Sequence, residues 1–429
     1  MPSGSREAGR PRVLFVTETP PLPADHGARQ RTNLLIRALR RFAEVDVLLT
    51  PQGGKGVTED RLAEVRAFVS PGECELERHP AVGAPAALAP LRVLGAGAPA
   101  LAARHLCSAA REFQPVPSLA RAARSMHDRR GYDAAVGRYL RFARAAGLDG
   151  LGVRTIVDVD DFEDRREATR AEQVRGGVRR ALARRQARRL SRRLPALRDR
   201  FDHLVVCSES DRELLAHRSI SVAPNIPFAF ADGAPAPLPE PEGVEALIVV
   251  GTWSYGPNGR GLSRFLDRVW PGVRAARPGA ELLVVGGGLS GEAAARAGGE
   301  AGVRVLGRVD DIAAAYRSAS AAVAPIYDGA GTKIKVLEAL AYHRAVAVTE
   351  HAAMGFEHAL AHGSEFLVGP TDEALAAACA ELLADGERRR ALAAAGRAAV
   401  ETHFTMAAVE RGVGEALRAV LGREVGSDG

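Results

Sequence analysis

The residues of clearest chemical interest lie between positions 325 and 341, where a glycine turn joins an apolar run to a helical pattern. Gly329 and Gly331 form the predicted turn, and Thr332 is predicted to cap the helix that follows. A strand, a turn and a helix start in this order present free N–H groups and the positive end of a helix dipole, which bind anions. Lys333 adds a full positive charge at that end, which is unfavourable unless an anion joins it. The pattern therefore predicts a diphosphate site.

Glu338 lies six residues into the predicted helix, too deep to act as a cap, among small and apolar neighbours. A carboxylate at such a position can accept two hydrogen bonds from a ribose diol, as the acidic residue of dinucleotide sites does. Taken singly, Glu338 and Lys333 are better explained as solvated charges on a surface helix. Together with the glycine turn, they favour a site for a nucleoside diphosphate.

The stretch from residue 305 to residue 356 resembles the nucleotide-sugar domain of glycosyltransferase family 4, in particular the branch with Gly-Ala-Gly-Thr-Lys/Arg ahead of Leu-Glu-Ala. The resemblance implies an α/β fold of the GT-B type, with two Rossmann-like, doubly wound parallel-sheet domains facing a cleft. Glu338 matches the second glutamate of the family's Glu-x7-Glu pair, which binds the nucleotide ribose. The first glutamate falls on Ala330, so the carboxylate expected to touch the transferred sugar is missing.

Further phosphate-binding positions follow from the same resemblance. A proline-rich loop ends at Gly27, which matches the first glycine of a family pair, and Ala28 replaces the second. In the loop after residues 246–250 the family has an arginine and a lysine that grip the diphosphate, whereas this chain has Thr252 and Asn258. We expect Lys333 to supply the missing charge from the opposite loop, with Arg260 as a second cation. The predicted donor-binding residues are Gly27, Gly251, Asn258, Gly287, Gly329, Ala330, Gly331, Thr332, Lys333 and Glu338.

Charged residues after two earlier strand-like runs are candidates for the acceptor side. Arg138 stands nearest to the position at which many family members place a histidine, and it is equally well explained as a core or surface arginine. The spelling Asp158-Val-Asp160 resembles a metal-binding motif, but enzymes of the resembled fold offset diphosphate charge with amides and cations, so we expect no metal. Asp161, at the C-terminal end of its strand, is the candidate acceptor ligand or base. The predicted catalytic residues are Lys333, Glu338, Asp161 and Arg138.

The elements that position these residues alternate between apolar runs and amphipathic helices, which predicts parallel sheets with ligands at the strand ends. Strands are predicted at 246–250, 281–285 and 321–324, a helix at 406–421, and Ser208 is predicted to cap a helix from residue 209. Residues 51–130 are Ala-rich and predict helices on the acceptor side. The predicted domains are 1–225 for the acceptor, a stiff proline-rich linker at 226–243, 244–405 for the nucleotide sugar, and a helix at 406–429 that crosses back.

Amino-acid composition limits the classes of protein to which this chain can belong. With 429 residues and 46% hydrophobic content, the chain can form two or three cores. The four cysteines are far apart, and no apolar run reaches 18 residues, so we expect a cytoplasmic protein without a disulfide framework.

The positive charge of the chain is unevenly distributed. The net charge is only +6, but many arginines lie within residues 165–200. That segment predicts either solvated helices or a surface for anionic lipid headgroups or an anionic acceptor, at the inner face of the membrane. Nucleic acid is disfavoured, because no aromatic residues are interleaved with the charge.

The sequence thus predicts a retaining glycosyltransferase that moves a sugar from a nucleotide-diphosphate sugar to an acceptor hydroxyl. A UDP-sugar is the expected donor and no cofactor is expected. The expected acceptor is a small molecule or a lipid-linked sugar, in polysaccharide, glycolipid or secondary-metabolite synthesis. Two alternatives stay open: a nucleotide-sugar epimerase of the same fold, and a degenerate sugar-nucleotide-binding scaffold.

Overall fold

The structure, a computed structural model, describes residues 9–24, 26–51, 57–78, 113–160, 162–174, 176–329 and 332–423. The chain divides into two compact units, one made of Met1–Pro224 with Val409–Gly429 and the other of Asn225–Ala408. The prediction of a helical region at 51–130 is confirmed at Glu59–Val69 and Pro117–Arg130, is wrong at Cys74–Leu76, which pairs as a parallel strand of the sheet, and otherwise falls partly outside the described residues. The assignment of acceptor and donor binding to the two units stays a prediction.

The first unit is built on a parallel sheet. Its described strands are β1 (Arg12–Thr17), β2 (Glu44–Leu49), β3 (Cys74–Leu76), β4 (Ala134–Arg138), β5 (Arg154–Asp158), β6 (His203–Val206) and β7 (Ile220–Val222). Its described helices are α1 (Gly27–Arg40), α2 (Glu59–Val69), α3 (Pro117–Arg130), α4 (Leu140–Ala145), α5 (Glu163–Gln173), α6 (Gly177–Arg198) and α7 (Glu209–Leu214). Ser208 accepts a hydrogen bond from the Asp211 amide, so the predicted cap of α7 is confirmed.

The second unit repeats the plan. Its described strands are β8 (Ala246–Val250), β9 (Glu281–Val285), β10 (Val303–Gly307), β11 (Ala321–Ala324), β12 (Val346–Thr349) and β13 (Leu367–Gly369). Its described helices are α8 (Gly256–Arg264), α9 (Trp270–Ala276), α10 (Gly291–Gly299), α11 (Ile312–Arg317), α12 (Ile334–Ala341), α13 (Glu350–Ala353), α14 (Asp372–Ala384) and α15 (Gly386–His403), with a π-helical turn at Phe265–Val269 between α8 and α9. The final helix, α16 (Met406–Leu421), enters the first unit from Val409 onward.

Both sheets are wholly parallel in their described pairs. The strand orders are β3-β2-β1-β4-β5-β6-β7 and β10-β9-β8-β11-β12-β13. Helices cover both faces of such sheets, which explains why every residue of β11 and β12 is buried. In each sheet the order reverses once, between β1 and β4 and between β8 and β11, and a doubly wound sheet binds its ligands at such a reversal.

The proline-rich segment predicted as a linker is bound to the second unit by buried arginines. Arg344 is 1% exposed and donates to the carbonyl oxygens of Leu238, at 3.1 Å, and Pro239, at 2.7 Å. Arg389 forms an ion pair with Glu240 of the same segment. Burial lowers the pKa of Arg344 to about 10, partly offset by the attraction of Glu240, so the guanidinium is charged at neutral pH.

The last helix packs on the sheet of the first unit through a buried histidine. The ring nitrogens of His203 lie 2.7 Å from the Ser219 hydroxyl and 3.0 Å from the Ser221 hydroxyl. Ser221 in turn donates to the carbonyl oxygen of Gly412 at 2.8 Å. A Cβ atom at Gly412 would lie 2.1 Å from the carbonyl oxygen of Val222, so only glycine permits this close approach.

Acid is predicted to weaken the first unit through His203. Burial lowers the pKa of His203 to about 4, whereas an unfolded histidine has a pKa of about 6.5, so the unfolded chain takes up the proton first. The contribution to stability is complete above about pH 6.5 and is lost as the pH falls toward 4; it amounts to at most about 3 kcal/mol. Denaturant midpoints measured across this pH range test the prediction.

His203→Gln is the matched control, because glutamine keeps hydrogen-bonding groups but does not titrate here. We expect the midpoint of the variant to fall less steeply with acid than that of the wild type. Equal slopes for the two proteins would contradict the assignment.

Candidate functional site

The strand-order reversal in the second unit brings two predicted loops together. One follows β8 and leads into α8, and the other follows β11 and leads into α12. A Cβ atom at Gly261 of α8 would lie 2.1 Å from the carbonyl oxygen of Pro325, so the helix backbone touches the exit of β11. Gly329 has a φ of +110°, and a Cβ atom there would lie 3.4 Å from the Pro257 ring. Glycine is therefore required at both contacts, by close packing at the first and by backbone conformation at the second.

The start of α12 differs from the prediction. Thr332 was predicted to cap the helix, but α12 begins at Ile334, and Lys333 occupies the N-cap position without a side-chain capping bond. The prediction was wrong because Lys333 has a non-helical conformation, with φ −84° and ψ 75°, which moves the helix start one residue beyond the reach of the threonine. The predicted donor ligands Ala330 and Gly331 lie outside the described residues.

A lysine that the sequence analysis did not single out connects the two loops. Lys335 Nζ donates to Asn258 Oδ1 at 2.7 Å, and Asn258 Nδ2 donates to the carbonyl oxygen of Thr252 at 2.9 Å. Burial lowers the pKa of Lys335 to about 8, partly offset by the attraction of Glu338. The spacing of Lys335 and Glu338, three residues apart on one helix face, was the signal in the sequence that could have identified this lysine.

Glu338 lies on the same face, one turn further along α12. It accepts a hydrogen bond at Oε1 from the hydroxyl of Tyr316 at 3.1 Å, and the Tyr316 ring stacks on Tyr342 with centroids 4.9 Å apart. Within the described part of the chain, Oε2 accepts no hydrogen bond. Burial raises the pKa of Glu338, while the Tyr316 hydrogen bond and Lys335 act in the opposite direction. The carboxylate is thus held through one of its two oxygens.

The second predicted cation is already paired. Arg260 forms a two-point ion pair with Asp328, with nitrogen–oxygen distances of 2.7 and 3.1 Å. The turn that contains Asp328 is also anchored from α13, because a ring nitrogen of His351 lies 2.9 Å from the carbonyl oxygen of Gly329. These contacts fix the glycine turn and reduce the charge that Arg260 can offer to a ligand.

The glycines predicted on the neighbouring strands also meet. The amide of Trp253 donates to the carbonyl oxygen of Gly287 at 2.9 Å. A Cβ atom at Gly286, where φ is +120°, would lie 1.8 Å from the carbonyl oxygen of Gly251. The loops after β8 and β9 are therefore in backbone contact, with Gly251 and Gly287 both at the carboxyl edge of the sheet.

In the first unit, the equivalent reversal holds a buried charge cluster. Arg31 and Arg138 grip Asp158 from two sides, with nitrogen–oxygen distances of 2.6 Å each. Arg138 is fully buried and also donates to Asp160 Oδ2 at 3.0 Å and to the Tyr139 hydroxyl at 2.9 Å. Arg138 thus holds Asp160 at the carboxyl edge of the sheet, and its catalytic role stays a prediction.

Asp160 is the exposed end of this cluster. Its side chain is 14% exposed, and its Oδ1 lies 3.1 Å from the Sγ of Cys207. Burial raises the pKa of that thiol well above its usual value, so it acts as a neutral donor to the carboxylate. Asp161, the predicted acceptor ligand, lies outside the described residues. Gly27 is the first residue of α1, after the β1 loop, and no side chain caps this helix start in the described part of the chain.

Metal binding and membrane spanning are both limited by the side chains of the described ranges. No group of three or more metal-ligating side chains occurs there, and Asp158 and Asp160 of the DxD-like spelling are instead paired with arginines. In the same ranges, no helix is both long enough and apolar enough to span a bilayer.

Comparison with known proteins identifies the architecture. Residues 245–385, about a third of the chain, match the family model described as Glycosyl transferases group 1. Sucrose-phosphate synthase from Thermosynechococcus elongatus aligns with a TM-score of 0.65 and 16% identity, over 96% of this chain and 100% of that chain. HepE from Anabaena, in complex with UDP and glucose, aligns with a TM-score of 0.61 and 13% identity, over 96% and 100% of the two chains. The fold is GT-B.

A third GT-B relative is the E. coli protein described as trehalose-6-phosphate bound with UDP-2-fluoro glucose. It aligns with a TM-score of 0.59 and 14% identity, over 93% of this chain and 97% of that chain. No curated protein sequence matches this chain. The predicted fold class is confirmed, and the family-model match falls on the GT-B unit that contains Lys335 and Glu338.

Removing the central carboxylate of the buried cluster is predicted to destabilise the first unit strongly. Asp158→Asn keeps the side-chain shape but leaves Arg31 and Arg138 without their shared counter-ion. Breaking a buried ion pair in this way costs about 3–5 kcal/mol. The free energy of unfolding, measured by denaturant titration at pH 7, tests this value.

Glu172→Gln provides the surface control, because Glu172 pairs with Arg184 while its side chain is 57% exposed. Exposed ion pairs contribute about 0–1 kcal/mol, so we expect little change. A similar small loss in Asp158→Asn would show that the cluster is not the structural centre inferred here.

Proposed function

We propose that this protein is a glycosyltransferase that moves a sugar from a nucleotide-diphosphate sugar, with UDP as the expected nucleotide, to an acceptor hydroxyl. The observation that carries the proposal is the edge of the second unit, where a cation, a half-satisfied carboxylate and a glycine turn meet at a strand-order reversal. The match of residues 245–385 to Glycosyl transferases group 1 supports the reaction class. The UDP and UDP-2-fluoro glucose of two GT-B neighbours support the nucleotide.

The donor would be held by groups at the two ends of this edge. Glu338 has the free oxygen and the rigid support that recognition of a ribose diol requires. The glycine turn and the start of α12 supply N–H groups and a positive dipole for the diphosphate. Lys333 lies at the same helix start. Of the two glycines predicted as donor ligands after β8 and β9, Gly287 leaves room for a ligand, whereas the Trp253 ring occupies the space beside Gly251.

The chemistry we propose is transfer with retention of the anomeric configuration. The acceptor hydroxyl attacks the anomeric carbon on the face from which the nucleoside diphosphate departs, and the diphosphate oxygen takes the bonding electrons. Charge therefore develops on the leaving group, and fixed cations and amides that face it lower the barrier. This route requires neither a protein nucleophile nor a metal.

On the acceptor side, the proposal gives the acidic cluster of the first unit a role in binding. Asp160 is held by Arg138, Tyr139 and Cys207, so its orientation is fixed before any ligand arrives. A carboxylate at the edge of the sheet can accept a hydrogen bond from a sugar hydroxyl. Asp161 remains the adjacent candidate, and Arg138 acts through Asp160 rather than by contact with substrate.

A nucleotide panel tests the donor assignment. We expect UDP, GDP, dTDP and ADP to stabilise the protein unequally in thermal shift, with UDP the strongest. A nucleotide at 100 times its dissociation constant adds about 2.7 kcal/mol to stability. Glu338→Gln should abolish most of this shift because the amide replaces one acceptor oxygen with a donor. Incubation with the matching UDP-sugar and NMR of the released or transferred sugar then tests the reaction and its stereochemistry.

Glu373→Gln, at an exposed position of α14, serves as the matched control and should respond to UDP like the wild type. Loss of the shift in both variants would attribute the effect to general destabilisation. No stabilisation of the wild type by any nucleotide would contradict the donor assignment, and stabilisation without transfer or hydrolysis of the sugar would favour the sugar-nucleotide-binding scaffold. Interconversion of the sugar without transfer or hydrolysis would favour the epimerase.

We further propose that the first unit contacts anionic lipid through α6. Five arginines of this helix are exposed and make no ion pair or hydrogen bond within the described residues: Arg185, Arg188, Arg189, Arg192 and Arg193. Their spacing of three or four residues places them on one broad face, while Ala187, Leu190 and Leu194 are buried on the other. Charge left without counter-ions along a 22-residue helix is complementary to a surface of anionic headgroups.

Vesicle flotation tests this surface. Each arginine near an anionic membrane contributes about 1 kcal/mol, so reversing Arg185, Arg188, Arg189 and Arg192 to glutamate should abolish binding to vesicles rich in phosphatidylglycerol. The control reverses four dispersed, exposed arginines, Arg121, Arg268, Arg317 and Arg411, which changes net charge equally. Equal loss of vesicle binding in both variants would attribute the binding to net charge rather than to the face of α6. A wild type that does not float with the vesicles would exclude the lipid contact.

A further inference from the structure

The diphosphate of a nucleotide sugar carries several negative charges that must be matched where it binds. In the second unit, the loop after β8 has no lysine or arginine among residues 251–255, and the two arginines of α8, Arg260 and Arg264, are paired with Asp328 and Asp372. The amides of the glycine turn supply only partial charges. A full positive charge from another element is required at this edge of the sheet.

Lys335 meets this requirement by geometry. Its stem rises from the first turn of α12, and its ammonium reaches across to Asn258 on α8, at 2.7 Å. Asn258 is itself fixed, since it is buried and its amide nitrogen donates to the Thr252 carbonyl oxygen. The ammonium is thereby held between the two loops that diverge at the strand-order reversal.

The hydrogen-bond partner of the ammonium, Asn258, determines how much of the charge is available to a ligand. Asn258 is neutral, so the hydrogen bond orients Lys335 without cancelling its charge. An ammonium has three N–H donors, and among the described residues only Asn258 accepts one of them. Two donors therefore remain for the oxygens of a ligand. Arg260, by contrast, spends its charge on the Asp328 carboxylate.

We propose that Lys335, positioned by Asn258, is the residue that binds the donor diphosphate and stabilises its charge as the sugar departs, in place of the cations missing from the loop after β8. This inference rests on the proposed function. It replaces the expectation that Lys333 supplies the charge, and it places the diphosphate ligand one helical turn from Glu338, the candidate ribose ligand.

The protonation of Lys335 offers a signature that a structural lysine would lack. The charged group that acts on the ammonium is Glu338, on the same helix. Two neutral side chains from other helices face this pair: Tyr316 of α11 donates a hydrogen bond to Glu338, and Asn258 of α8 accepts one from Lys335. Burial lowers its pKa to about 8, so part of the population is neutral at about pH 8.5. An arriving diphosphate favours the charged form, and the site must then take up a proton from solution.

Calorimetric titration of UDP and uridine into wild type, Lys335→Gln, Lys335→Arg and Lys333→Gln tests the proposal. We expect Lys335→Gln to weaken the affinity for UDP by about 10- to 100-fold, the effect of losing one charged hydrogen bond, and to leave the affinity for uridine unchanged. Lys335→Arg should recover part of the loss, and Lys333→Gln should lose less than Lys335→Gln. At about pH 8.5, in buffers of different ionisation enthalpy, UDP binding should take up a fraction of a proton in wild type and none in Lys335→Gln.

Three results would overturn the proposal: unchanged UDP affinity in Lys335→Gln, equal weakening of UDP and uridine, or a larger loss in Lys333→Gln. A wild type that binds neither UDP nor any other nucleoside diphosphate would overturn the proposed function itself, and this inference with it. Thermal melting of each variant without ligand shows whether it is folded. If Lys335→Gln melts well below the wild type, the proposal is tested instead by the UDP affinity of Lys335→Arg and by proton uptake in the wild type. Absence of both the partial recovery and the proton uptake would count against the proposal.

Discussion

The candidate site depends on the single strand-order reversal in the second sheet. Because β8 and β11 are neighbours whose connections leave in opposite directions, the loops at their carboxyl ends must separate, and a crevice forms between them. Close packing keeps it narrow: α8 touches the exit of β11 at Gly261, and the glycine turn rests on Pro257 at Gly329. The side chains of Lys335, Asn258 and Glu338 converge there only because these backbone contacts are fixed.

The two units use buried charge in different ways. In the first unit, Arg31 and Arg138 share Asp158 and Asp160, so two positive and two negative charges balance and the cluster chiefly stabilises the sheet edge. In the second unit, Lys335 is bound to a neutral amide and Glu338 to a neutral hydroxyl. Holding charges in this manner costs stability, since burial disfavours both charged forms. A ligand with complementary groups offsets that cost, which is the usual property of a binding site.

The abundance of arginine has several separate physical causes. Arg344 and Arg389 bind the proline-rich segment to the second unit through carbonyl oxygens and Glu240. Their burial shows why arginine content alone is poor evidence for an anionic partner. Five arginines of α6 differ from these, because they carry no counter-ion in the described part of the chain: Arg185, Arg188, Arg189, Arg192 and Arg193. Burial and pairing, rather than number, separate the structural arginines from those that can meet a ligand.

The sequence by itself determined the local elements and the fold class. The strands at 246–250, 281–285 and 321–324, the helix at 406–421 and the Ser208 cap agree with the structure, because apolar runs, helical periodicity and capping depend on neighbours in the chain. Tertiary structure decided which charged side chains are buried, which are paired and which face the candidate site. Whether Lys335 or Lys333 faces Asn258, whether Arg138 is buried, and whether Arg260 is paired all depend on residues far away in the chain. The start of α12 was likewise set by the conformation of Lys333 in the turn, which no local preference of Thr332 could override. Contacts between distant segments exist only once the sheet has fixed their positions.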